Sequence, residues 1–165
     1  MNKKIFFFIG GLFVLSISSF AQKSFQEGTN VINAGIGVGG LQWGGVSFGA
    51  SYEHGVTDNI SVGGNLGYSG FSDYDYSYTA ILIGARGSYH FLTTDNIDPY
   101  AGADLGYVVL SHSGFNGNYP VHSYSNLAFG IHGGVRYYLS PGVGVYGEIG
   151  IASFAVLGLG VCFKF

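Results

Sequence analysis

From residue 31 to the C-terminus, apolar residues fall on every second position in eight segments. The first, Val31–Gly40, sets Ile32, Ala34, Ile36 and Val38 against Asn33, Gly35, Gly37 and Gly39. Gly45–His54, Ile60–Ser69 and Thr79–Phe91 repeat the pattern, as do Pro99–Leu110, Ser125–Tyr138, Val143–Ile151 and Val156–Phe165. A two-residue period marks β-strands with two unlike faces, and the 3.6-residue period of a helix is missing. Each segment is about as long as the roughly 9–11 residues that a tilted strand needs to cross a bilayer.

The composition decides which face meets what. Only 9% of residues are charged, 17% are aromatic and 30 of the 165 are Gly. A water-soluble barrel or sandwich needs a polar exterior. The polar parity here is mostly Gly, Ser and Asn with at most one charged residue per strand, which is too poor for a solvated surface. It suits the narrow bore of an eight-stranded barrel. The apolar parity carries bulky side chains and no Asp, Glu, Lys or Arg, as a lipid-facing band should. Tyr52, Tyr89, Phe91, Tyr137, Phe163 and Phe165 form a candidate aromatic girdle at one end, and Tyr68, Tyr107 and Phe129 one toward the other. The expected fold is all-β, an eight-stranded antiparallel up-and-down transmembrane β-barrel.

The first 21 residues read as a secretory signal peptide. Lys3 and Lys4 precede an apolar run, Ile5–Leu15, and small residues lead to a cut expected between Ala21 and Gln22. Residues 22–165 form the barrel domain. The mature chain keeps four cations, Lys23, Arg86, Arg136 and Lys164, against nine acids, a balance that disfavours nucleic acid as a partner. The hydrophobicity excludes disorder. A single Cys, Cys162, excludes a disulfide framework, and its parity makes it an inert lumen thiol.

An even strand number puts both termini on one side, expected to be the periplasm. The turns there are His54–Asn59, Leu92–Asp98 and Leu139–Gly142. The external connections are Leu41–Gly44, Gly70–Ser77, Ser111–Tyr124 and a short turn at Ala152–Phe154. Six charges fall on the inward parity: Glu53, Arg86, Asp104, Arg136, Glu148 and Lys164. Three of each sign in a narrow bore should pair, because an unpaired buried charge is costly. Equal steps from a turn centred near Asp95 place Arg86 opposite Asp104, the expected ion pair. Arg136 with Glu148 is the second choice.

The signal peptide resembles that of a small outer-membrane β-barrel of the OmpX/OmpA transmembrane-domain type. So do Tyr52-Glu53-His54-Gly55-Val56-Thr57-Asp58-Asn59-Ile60, Asp98-Pro99-Tyr100-Ala101-Gly102-Ala103-Asp104-Leu105-Gly106-Tyr107 and the final Val161-Cys162-Phe163-Lys164-Phe165. The resemblance spans the mature chain. It implies outer-membrane lipids as surroundings, and Phe165 as the terminal signal read by the barrel-insertion machinery. It also implies a monomer.

Chemistry is sparse. Small-barrel enzymes of that type use a His, a Ser and an acid near the outer rim; the nearest match is His112-Ser113 with Asp73 or Asp75. His112 and His122 are the nearest match to a metal pair, but no metal or cofactor is expected. Trp43, Phe71, Tyr74, Tyr76, His112, Tyr119 and His122 are candidate loop contacts for an extracellular ligand. The competing reading of the Tyr-rich 70–78 segment is an upper aromatic girdle on strands that continue past the membrane. The expected function is non-enzymatic, envelope stabilisation or loop-mediated adhesion. A narrow passive channel and a lipid-modifying enzyme using His112 and Ser113 are the alternatives.

Overall fold

The computed structural model describes residues 23–39, 45–73, 76–91, 94–114, 122–151 and 155–165. The expected signal peptide lies outside them. Eight antiparallel strands follow in chain order: β1 (Asn30–Val38), β2 (Val46–Gly55), β3 (Ile60–Asp73), β4 (Tyr76–His90), β5 (Ile97–Gly114), β6 (His122–Ser140), β7 (Val143–Ile151) and β8 (Leu157–Lys164). Each pairs with the next, and β1 pairs with β8 from Val31↔Lys164 to Val38↔Leu157, closing the barrel. Pairing of β1 with β8 leaves neither terminal strand with a free edge, as a strand structure in lipid requires.

The side chains are inverted relative to a water-soluble protein. Ile36, Leu66, Ile83, Phe129 and Ile149 are more than half exposed, whereas Asn33, Glu53, Arg86, Arg136 and Glu148 are buried. Tyr52, Tyr89, Phe91, Tyr137 and Phe165 stand exposed at the end that carries the termini, and Tyr68, Tyr107 and Phe129 stand exposed higher up the wall. Around the lumen, small residues make room for large ones. A Cβ on Gly134 would lie 2.6 Å from the Tyr100 hydroxyl, and one on Gly35 would lie 2.6 Å from that of Tyr146.

The strands from β3 to β6 run well past the segments read from the sequence, to 14, 15, 18 and 19 residues. Their ladders close at Asp73↔Tyr76 and His112↔His122. Most of the expected loop 70–77 and half of the expected loop 111–124 are therefore paired strand. Tyr, Phe and Thr favour extended backbone, and a ladder continues wherever neighbours remain, whether or not lipid surrounds it. A second correction concerns Asp98, expected in a turn. It lies within β5 and is fully buried.

The segment before β1 lies across the mouth at the terminal end. The Ser24 N–H donates to the Thr94 carbonyl and its hydroxyl to the Ile97 carbonyl, each at 2.8 Å. Phe25 is fully buried. The turn back into β1 passes through Gly28 at φ +82°, a conformation that favours glycine.

Candidate functional site in the barrel lumen

The lumen holds a continuous polar network. Arg136, on β6, reaches across the bore. One terminal nitrogen donates to Asp98 Oδ2 at 2.9 Å and the other to Glu53 Oε1, while Nε donates to Asn33 Oδ1 at 3.0 Å. Its guanidinium carbon sits 4.1 Å from the centre of the Tyr100 ring. Arg86, on β4, donates to Glu148 Oε2 at 2.8 Å and holds Nε 3.6 Å from Glu53 Oε1. The Tyr100 hydroxyl donates to the same Glu148 oxygen at 2.9 Å.

Two serine–imidazole–carboxylate chains complete it. His132 Nδ1 lies 2.6 Å from Asp104 Oδ2 and its Nε2 lies 3.0 Å from Ser88 Oγ. His90 Nδ1 lies 2.7 Å from Asp98 Oδ1 and its Nε2 lies 3.0 Å from Ser61 Oγ. These are the components of a nucleophilic triad. Both serines, however, are buried in the packed bore, and the Ser61 hydroxyl already donates to Glu53 Oε2 at 2.6 Å.

The Ser61 hydroxyl donates to Glu53 and lies against His90 Nε2, so it links the imidazole to that carboxylate. Among the described residues the lumen holds four carboxylates, Glu53, Asp98, Asp104 and Glu148, against the cations Arg86, Arg136 and Lys164.

The six charges assigned inward from the sequence do lie on the lumen side. Five are buried, and Lys164 sits half-buried at the mouth with its ammonium 4.5 Å from the centre of the Tyr138 ring. The expected partners are corrected. Arg86 and Asp104 are opposed in the ladder, but Arg86 pairs with Glu148 and Glu53, and Asp104 with His132 and Asn65. Arg136 pairs with Glu53 and Asp98 rather than Glu148. In a narrow closed bore, long side chains reach the opposite wall as readily as the adjacent strand.

Asp98, His90, His132, Tyr100, Asn33 and Asn65 belong to the network although they were not singled out as its members. Parity was the available signal, since Asp98 and Tyr100 step evenly to Asp104. Of the candidate contacts at the far end, Trp43, Tyr74 and Tyr119 lie outside the described residues. Phe71, Tyr76, His112 and His122 lie on β3, β4, β5 and β6. Phe165 is exposed, and its backbone exchanges two 3.0 Å hydrogen bonds with Asn30.

A family model for the outer membrane protein beta-barrel domain matches residues 7–164. The chain belongs to this family. As a member of the outer membrane protein beta-barrel domain family it resides in the outer membrane, with the exposed apolar band against lipid. Its fold is similar to OprG of Pseudomonas aeruginosa, at 11% identity over 87% of this chain and 99% of that one, TM-score 0.68. It is also similar to the N-terminal barrel of OprF from the same organism, at 20% identity over 85% and 99%, TM-score 0.62. Ail, the attachment invasion locus protein of Yersinia pestis, matches at 13% identity over 84% and 99%, TM-score 0.55. A search of curated proteins found no match.

Proposed function

We propose that this family member is a non-enzymatic, monomeric barrel with a closed lumen, which acts through the strand extensions at the end opposite its termini. Those extensions face the outside of the cell and the termini face the periplasm. The work is envelope stabilisation or attachment to an extracellular ligand. The observation that carries the reading is the Glu53–Arg136–Asp98 network across the bore. Ion pairs joining opposite walls bar a continuous water path. The enclosed space beside Arg86 and Glu148 is about 10 Å³, room for about one water molecule.

The attachment reading gains from Ail, whose description names attachment and whose fold is similar. Planar-bilayer recording on the purified barrel tests the closed lumen, with no unitary conductance expected. Stable conductance steps would favour the passive channel instead. Cell-surface exposure of the extensions is tested by protease cleavage at tags inserted after Asp73 and after Gly114. Protection of both tags on intact cells would overturn the orientation.

A further inference from the structure

Two buried lumen atoms of opposite character lack a hydrogen-bond partner: Arg86 Nε, a donor, and Asn65 Oδ1, an acceptor. Arg86 spends a terminal nitrogen on Glu148 at 2.8 Å, and its Nε stands 3.6 Å from Glu53 Oε1, within ion-pair range but too far for a hydrogen bond. Asn65 Nδ2 donates to Asp104 Oδ1 at 2.8 Å. That contact fixes the amide, because an ionised carboxylate only accepts, so the amide oxygen is the atom left over. Both residues line one enclosed space of about 10 Å³, together with Ala50, Ser51, Tyr146 and Glu148. Ser51 Oγ accepts from Asn33 Nδ2 at 2.8 Å and carries a hydrogen of its own to give. Ser51, Asn65, Arg86 and Glu148 are all buried.

We propose that this space is a binding site for one ordered water molecule, which accepts from Arg86 Nε and donates to Asn65 Oδ1. Ser51 supplies a further donor and Glu148 a further acceptor, within the 2–4 hydrogen bonds that a buried water typically makes. The lining selects the occupant. Asn65 Oδ1 and the Glu148 carboxylate disfavour an anion, and the Arg86 guanidinium disfavours a cation. A neutral molecule that both donates and accepts satisfies the two atoms at once, and the volume limits it to about one water. A bridging water is nearly as favourable in enthalpy as a direct hydrogen bond. This bridge ties Arg86, with its carboxylates Glu53 and Glu148, to the arm formed by Asn65, Asp104 and His132. The water is then a fixed part of the wall-to-wall contact and not a segment of a path through the bore. The site rests on the closed lumen proposed above, since in an open bore the same atoms meet exchanging solvent.

The chain has two arginines, Arg86 and Arg136, so arginine-selective nitrogen-15 labelling gives two Nε–H signals. The experiment uses the mature barrel refolded in deuterated detergent micelles and records cross-relaxation between water and each Nε–H. Arg136 Nε donates to Asn33 Oδ1 at 3.0 Å and is the internal control. A dipolar cross-peak to a long-lived water is expected at Arg86 and none at Arg136. Asn65→Leu, which removes the acceptor, should abolish the Arg86 cross-peak and shift the Arg86 Nε–H resonance. Absence of the cross-peak at Arg86 in the wild type overturns the site, as does a cross-peak that survives unchanged in Asn65→Leu. Absence at both arginines, with no conductance in the bilayer recording, sinks the water site and leaves the closed lumen standing. Equal cross-peaks at both arginines together with conductance steps mean a wet bore and overturn both. The wild-type comparison decides by itself, so a variant that fails to refold does not rescue the proposal.

Discussion

Arg86 and Asp104 face one another across the β4–β5 ladder, yet they are not partners. Arg86 crosses to Glu148 at 2.8 Å, and Asp104 turns to His132 at 2.6 Å. Coupling energies should follow these contacts rather than the ladder. In a double-mutant cycle, Arg86→Leu with Glu148→Leu should show a larger interaction energy than Arg86→Leu with Asp104→Leu. Arg136→Leu, which takes the shared cation from Glu53 and Asp98 and leaves them only Arg86, Ser61 and His90, should cost about 3–5 kcal/mol. Denaturant unfolding of the barrel refolded in lipid measures all three. Equal coupling in the two cycles would contradict the cross-bore assignment.

His90 and His132 each sit between a serine and an aspartate. Ser61→Ala removes the group that links His90 to Glu53, so in nitrogen-15 spectra of the imidazoles the His90 signals should shift while those of His132 stay in place. Unmoved His90 signals would contradict the Ser61 contact.

Phe25 closes the mouth at the terminal end. Its ring stacks on His90 with centroids 3.5 Å apart and planes 3° from parallel, and it is fully buried. Phe25→Ala should lower stability by about 3 kcal/mol, the small end of the range for a buried Phe, because the short N-terminal segment is free to adjust. Exchange of the His90 ring protons with water should accelerate in the same variant. Unchanged stability together with unchanged exchange would mean that the segment does not seal the mouth.

Phe165 ends the outward row of β8 and is 64% exposed. Phe165→Asp should reduce the amount of folded barrel in the outer membrane. The lipid-face penalty of an acid near the interface is only about 0–1 kcal/mol, so a large loss would point to recognition during assembly rather than to stability. The check is the fraction of barrel that changes mobility on heating before gel electrophoresis. Wild-type levels would remove Phe165 as an assembly signal.

Strand identity, facing and the closed barrel were legible in the sequence, because a two-residue period assigns every side chain to one wall face. Lipid then selects the apolar parity for the outside, so Ile83 and Arg86 were sorted correctly before any contact was known. Even the Arg86↔Asp104 register followed from counting back from a turn. Partner choice was not legible. Glu53 and Arg136 are 83 residues apart, and nothing local relates them; closure of the cylinder alone brings their walls within reach. The extra length of β3 to β6 was also hidden, since Tyr, Ser and His suit a loop and a paired strand alike. Only the tertiary ladder made His112 and His122 neighbours on one rung, because the register of β5 against β6 is a property of the sheet and not of either segment.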